Sequence, residues 1–313
     1  MIKVVFLATP DIAVKSLQEL CGNKDFDVCA VVTQPDRPKG RGNKLTPPPV
    51  KVCAIDNDIK CFQTERISKD NELIKALREI EPDFLVTFAF GQILSQEVLD
   101  IPKFATVNLH ASLLPKYRGA NPIQRCIYNG DCETGITTML TVLALDAGDI
   151  CEMEKIKITE NMTNIELKDL ISEKSPSLIC STLKGLFNRT LTPVKQPEDG
   201  VTIAKKFCKE DGHIDWNKSA IEIHNQVRSM VDFPTAYTFY NGKMLKLIET
   251  EVIDESKQNK VVEVSNVSKN GIEISLTKGL LLIKKVKPES KGIMNAFDFA
   301  NGAKIKAGIK FGE

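Results

Sequence analysis

NELIKALREIEPDFLVTF, residues 71–88, carries a helix and a strand in immediate succession. Leu73, Ile74 and Leu77 recur at helical spacing, which predicts a helix over 71–80 with one apolar face. Pro82 ends it, because proline offers no N–H to continue the ladder. Residues 83–88 then read as a buried strand. The same alternation extends outward on both sides. Residues 2–7 form a short apolar β run. A Thr9-Pro10-Asp11 turn leads into a helix with Ile12, Leu17 and Leu20 on one face. Residues 26–33 (FDVCAVVT) are rich in β-branched side chains, and residues 104–109 form the next strand. This rhythm predicts an α/β fold with a doubly wound, mostly parallel sheet. Ligands of such sheets sit beyond the carboxyl ends of strands, which directs attention to the segments after Leu7, Thr33, Phe88 and Leu109.

The pattern changes in the second half. Residues 163–186 read as helical, with Pro176 dividing them into two helices. Residues 188–200 (NRTLTPVKQPEDG) are polar with two prolines and read as a linker. A further helix is expected over 219–230. Asn241-Gly242 separates strand-like residues 236–240 from 244–248, and Asn270-Gly271 separates 261–267 from 272–276. Short strands with tight turns predict a small β-barrel of the oligonucleotide-binding type. The expected organisation is a catalytic domain over 1–187, a linker over 188–205 and a barrel domain over 206–313.

The chain has 313 residues, 42% hydrophobic and 27% charged, which suits about two globular domains. No apolar run approaches a membrane span, and the apolar N-terminus is too short for a signal peptide. The nine cysteines are scattered and never spaced CxxC, which argues against zinc and disulfide frameworks and for a reducing, cytoplasmic home. No metal is expected, and the chain is expected to be a monomer. Net charge is only +1. Two patches stand out: residues 36–51, with Arg37, Lys39, Arg41, Lys44 and Lys51 against Asp36, and residues 278–310, with eight lysines against Glu289 and Asp298. A charge run is most often a solvated face, and the second patch also suits phosphate contacts.

The densest polar cluster follows the strand at 104–109. Strand alternation puts Asn108 and His110 on one side. A second polar knot, Leu145-Asp146-Ala147-Gly148-Asp149, lies in an expected loop. Asn, His and Asp lack a nucleophile among them, and nothing around Ser112 suggests a nucleophile elbow. Direct transfer between two bound substrates is the simplest chemistry. An amide and an imidazole can stabilise an oxyanion, and a carboxylate can orient the imidazole or relay a proton.

Several motifs resemble the 10-formyltetrahydrofolate-dependent formyltransferases over nearly the whole chain. They are FLATPDIAVKSL at 6–17, TQPDRPKGRGNKLTPPPVK at 33–51, VNLHASLLPKYRGANPIQR at 107–125, GDCETGIT at 130–137, LDAGD at 145–149 and IDW at 214–216. The Asn-x-His-x-Ser-Leu-Leu-Pro core is shared across these enzymes. The Pro/Arg loop and the IDW start of the second domain resemble the branch that acts on methionyl-tRNA. The resemblance implies a Rossmann-like catalytic domain with Asn108, His110 and Asp146 as the catalytic trio. It also implies a site for 10-formyltetrahydrofolate formed with Ser112, Leu113, Leu114 and Pro115. The acceptor implied is initiator methionyl-tRNA, approached by a loop carrying Arg41, with Arg37 and Lys44 beside it, and assisted by the barrel. Ala8 stands where the family has glycine, Ile12 where it has phenylalanine and Asn121 where alanine is common.

Overall fold

The computed structural model describes residues 1–39 and 42–312. They divide into two compact units. The first comprises Met1–Pro122, Glu133–Lys157 and Lys168–Ala204; the second comprises Ile123–Cys132, Ile158–Leu167 and the residues from Lys205 onward.

In chain order the first unit runs β1 (Ile2–Ala8), α1 (Val14–Gly22), β2 (Phe26–Thr33), β3 (Arg37–Lys39), β4 (Lys44–Thr46), α2 (Pro49–Asp56), β5 (Cys61–Gln63), α3 (Asn71–Ile80) and β6 (Phe84–Phe88). It continues with α4 (Gln96–Leu99), β7 (Ala105–His110), β8 (Arg118–Gly119), α5 (Pro122–Tyr128), β9 (Glu133–Leu140), β10 (Ile150–Lys157), α6 (Asn164–Phe187) and β11 (Ile203–Ala204). α5 and α6 each have residues in both units. Seven strands form one sheet in the order β10-β9-β7-β6-β1-β2-β5. The pairs from β5 to β7 are parallel, and β9 and β10 join antiparallel. Strand order reverses at β1 and β6, which is the switch point where doubly wound sheets bind ligands.

α3 shows how local sequence builds this layer. The Asp70 carboxylate accepts from the Leu73 N–H at 3.0 Å and caps the first turn. Glu81 adopts a left-handed conformation and ends the helix one residue before Pro82. Leu73, Ile74 and Leu77 pack with Val5 and Leu7 of β1, Ala30 and Val32 of β2, and Leu85 of β6. Each such side chain stabilises the fold by about 1.5–3 kcal/mol on burial, and Leu77→Ala would cost about 2–5 kcal/mol.

Two expectations are corrected. Pro176 does not divide the helix at 163–186, because α6 runs unbroken from Asn164 to Phe187. Leu167, Ile171, Ser175, Leu178, Ile179, Thr182 and Leu183 continue one buried stripe through the proline. That packing outweighs the roughly 3 kcal/mol that an interior proline costs. The strand expected at 244–248 is the first part of a much longer one, β13.

The second unit contains α7 (Ala220–Ser229), β12 (Tyr237–Tyr240), β13 (Lys243–Gln258), β14 (Glu263–Ser268), β15 (Gly271–Ser275), β16 (Lys278–Pro288), β17 (Met294–Asn295) and α8 (Ala296–Ala303). Ser219 and Glu222 form a capping box that starts α7. Asn241 and Gly242 both have positive φ, 51° and 70°, as a two-residue hairpin turn demands. The sheet order is β12-β13-β16-β15-β14, with β17 on β16, all antiparallel. Register shifts along β13 and β16 bend the sheet. The C-terminal tail joins its two edges. Val264 of β14 exchanges hydrogen bonds with the tail at Ile309 and Gly308, each 2.8 Å, and the Gly312 N–H donates to Phe239 of β12 at 2.9 Å. The edges are thereby covered and the sheet curls toward a barrel. Trp216 anchors this closure, stacked on Phe311 and donating its Nε1–H to Thr238 at 2.9 Å.

Residues 188–204, expected as a linker, lie along the first unit. Val194 exchanges two 2.8 Å backbone bonds with Ile150, and β11 pairs in parallel with β8.

Candidate active site

β7 presents Asn108 and His110 on one side at its carboxyl end. Asn108 lies level with Thr87 on neighbouring β6. The Thr87 hydroxyl donates to Asn108 Oδ1 at 2.8 Å, which orients the amide with its Nδ2 directed elsewhere. Sequence reasoning missed Thr87, because only the strand register puts it beside Asn108.

His110 is buried, and its Nε2 lies 2.9 Å from the Tyr117 carbonyl oxygen. A carbonyl only accepts, so Nε2 carries a hydrogen and donates. In the neutral ring Nδ1 is then a lone pair, and it faces Asp146 Oδ2 at 3.6 Å. Burial pushes the imidazolium pKa below its usual 6.5, while the Asp146 carboxylate and the Tyr117 carbonyl pull it back. The ring therefore rests neutral at pH 7. Asp146 Oδ2 also accepts the Gly119 N–H at 2.7 Å, and Asp146 itself is left-handed, with φ 47°. His110 and Asp146 thus converge from different parts of the chain, while Asn108 shares the side of β7 that carries His110.

The loop from Ala111 to Gly119 is held from several sides. The Ser112 hydroxyl donates to the Lys116 carbonyl at 2.6 Å, so Ser112 is buried within its own loop. The Thr137 hydroxyl donates to the Ser112 carbonyl at 2.6 Å and accepts the Leu114 N–H at 3.2 Å. Leu113 packs over Gly135, where an added Cβ would fall 2.5 Å from its methyl and 2.2 Å from the Glu154 carbonyl oxygen. Leu114 is buried, whereas Leu113 and Pro115 stay half-buried and available to a ligand. Burial also disposes of thiolate chemistry near Asp149, since the Cys151 thiol is pushed up to about 12.

The basic loop is a hairpin of β3 and β4, with Arg37 opposite Thr46 and Lys39 opposite Lys44. Arg37 and Lys44 are exposed, and Arg37 makes a 3.4 Å surface pair with Glu65. Arg41 lies outside the described residues. The hairpin base is firmer. Lys51 Nζ reaches Asp36 at 2.9 Å and Gln63 at 2.7 Å, and the ammonium holds the Asp36 carboxyl below its usual range. In the second unit, Lys284 and Lys285 are engaged by Glu249 and Glu251, so two of the eight lysines at 278–310 are neutralised within the sheet. His224, buried, bonds Thr250 and the Glu160 carbonyl and is structural.

The formyl transferase family pattern matches residues 2–183, and the formyl transferase C-terminal domain pattern matches residues 206–304. The chain belongs to the formyl transferase family. The methionyl-tRNA formyltransferase of Clostridium acetobutylicum is 42% identical over 309 residues, covering 99% of each chain. That of Clostridium perfringens strain 13 is 44% identical over 307 residues, covering 98% of each. Among solved structures, the sugar 3N-formyl transferase WlaRD, determined with dTDP and 5-N-formyl-THF, superposes with a TM-score of 0.67 at 23% identity. The superposition covers 93% of this chain and 99% of that one. The N-formyltransferase of Helicobacter canadensis, in complex with folinic acid and dTDP-3-aminofucose, superposes at 0.70 and 21% identity, covering 90% and 99%. At such identity these two structures share the fold. Among the described residues no group of three His, Cys, Asp or Glu side chains is arranged to hold a metal, and no helix is long and apolar enough to cross a membrane.

Proposed function

We propose that the chain transfers the formyl group of 10-formyltetrahydrofolate to the amino group of initiator methionyl-tRNA. The observation that carries the chemistry is the buried His110 ring with Nδ1 facing Asp146 at the end of the strand that also holds Asn108. The acceptor is supported by curated relatives of that name, alike over almost the whole chain.

The proposed roles follow in order. The methionyl nitrogen attacks the formyl carbon as a free base; an α-amino group titrates near pH ~8, which leaves a useful fraction deprotonated at neutral pH. The Asn108 amide, oriented by Thr87, donates to the oxygen as it gains charge. His110 starts as an acceptor, because its only N–H is engaged by Tyr117. Nδ1 takes the proton released by the amine, and the Asp146 carboxylate stabilises the imidazolium. The new Nδ1–H then supports the oxyanion and passes its proton to the departing N10 of the folate. The tetrahedral carbon collapses, the C–N10 bond breaks, and the formyl group remains on methionine. Leu113, Leu114 and Pro115 flank the folate, with Ser112 holding their loop. Arg41, Arg37 and Lys44 meet the tRNA. The same reading makes the protein a cytoplasmic monomer with separate catalytic, linking and tRNA-binding segments.

The test is a substrate panel. The protein is incubated with 10-formyltetrahydrofolate and either methionyl-tRNA, an amino sugar nucleotide or glycinamide ribonucleotide, and the acceptor is assayed for N-formylation. Product on methionyl-tRNA alone is expected. Product on either small amine in its place, or formate release without any amine, would overturn the assignment.

A further inference from the structure

Gln196 is the least expected polar side chain of the first unit. It belongs to the stretch that reads as linker, yet it is only 5% exposed. Its hydrogen-bonding capacity is spent entirely on the strand and loop that build the site. Nε2 donates to the Asp146 carbonyl at 2.9 Å and to the Gly148 carbonyl at 2.7 Å. Oε1 accepts from Arg118 Nε at 3.1 Å and Nη2 at 2.6 Å. Both amide hydrogens and the oxygen are used, so only a carboxamide of this reach reproduces the set.

We infer that Gln196 is the positioning residue that sets Asp146 against His110. Three observations converge on it. Asp146 occupies a left-handed conformation, which is strained for a non-glycine residue and persists only where its surroundings over-determine it. Gln196 binds the carbonyl of that residue and of Gly148, two positions on. The carboxylate is held at its other end by the N–H of Gly119, whose neighbour Arg118 is gripped by the same glutamine. One side chain therefore fixes both the backbone that carries the carboxylate and the strand that receives it. Gln196 is itself seated by the two bonds between Val194 and Ile150. Gly148 completes the arrangement, because an added Cβ there would fall 1.7 Å from the Leu140 carbonyl oxygen.

The inference rests on the reading of Asp146 as the partner of His110, and the experiment separates the two. Gln196→Met keeps the volume and removes donors and acceptor. Gln196→Glu keeps the grip on Arg118 but turns a carboxylate toward two carbonyls. Steady-state kinetics with folate and methionyl-tRNA, a pH–rate profile and thermal unfolding are recorded for both. The expected result is kcat lowered about 10²-fold, as for a small displacement of a catalytic group, with KM for either substrate within about twofold. The acid limb should also move to lower pH, because a withdrawn Asp146 no longer raises the basicity of His110. Wild-type kcat and an unmoved limb in either folded variant would overturn the inference. Loss of folded protein in both variants would also overturn it, by reducing Gln196 to a structural part. Asp146→Asn is run alongside. If that variant keeps full kcat, the catalytic reading of Asp146 fails, whatever Gln196 does.

Discussion

The β7 site and the β3–β4 hairpin are both loop-rich and polar, but they are built in opposite ways. At the site, His110, Ser112 and Thr137 are buried, and their polar atoms are held by carbonyls of the loop that follows β7. At the hairpin, Arg37, Lys39 and Lys44 are exposed, and Arg37 is held by one long surface pair worth no more than about 1 kcal/mol. The contrast fits the role proposed above for each. Bond making tolerates errors of only fractions of an ångström, so its groups are locked. A polyanion can be met by charges that adjust to it, because the attraction is long-ranged and non-directional.

Truncation on either side should break or sharpen this contrast. The largest effect is expected at the locked site. Asn108→Ala and His110→Ala should each lower kcat by about 10²–10³ or more, with circular dichroism showing a retained fold. Wild-type turnover in either variant would remove that residue from the mechanism. A smaller effect of a different kind is expected at the hairpin. Arg37→Ala, Lys44→Ala and Arg41→Ala should raise KM for methionyl-tRNA several-fold, leave folate use unchanged, and reduce the salt slope of tRNA binding by about 0.7–0.9 per lost phosphate contact. An equal loss toward both substrates would contradict the division of labour.

The smallest effect separates the buried histidines, one at the site and one in the second unit, from the hairpin base by pH. His110 and His224 are held neutral by burial, so their folded pKa values lie below 6.5. As pH falls below about 6.5 the unfolded chain takes up protons that the folded chain refuses, and stability drops until the folded values are reached. The slope is at most about 1.4 kcal/mol per pH unit for each ring. The hairpin base behaves differently. Asp36, held down by Lys51, contributes stability that persists above 3.8 and is lost only below it. Thermal unfolding between pH 7 and 5 should therefore show a decline that His224→Gln, if folded, flattens and Asp36→Asn does not. A flat profile in the wild-type chain would show that neither ring is kept neutral.

Much of the fold was legible in the residues themselves. Leu73, Ile74 and Leu77 announced α3, the run FDVCAVVT announced β2 from end to end, and Asn241-Gly242 announced the β12–β13 turn. Pro176 misled, because a local rule about proline lost to the buried stripe on either side of it. The length of β13 was invisible, since its outer half, from Glu251 to Gln258, is largely exposed and polar and owes its pairing to β16. Gln196 hid within a stretch whose composition is that of any loop.

The amino-acid order alone determined the alternation of strands and helices, the hairpin turns, and the placing of Asn108 and His110 on one side of a strand. These depend on backbone sterics and on spacing within a few residues, which a linear string records directly. Only the tertiary structure decided that Nε2 of His110 is spent on Tyr117, that Thr87 turns the Asn108 amide, and that Asp146 is set in place through Gln196. The last two pairings join separate segments and the first depends on how its loop folds back, so their geometry comes from packing the whole unit, where no local periodicity points from one partner to the other.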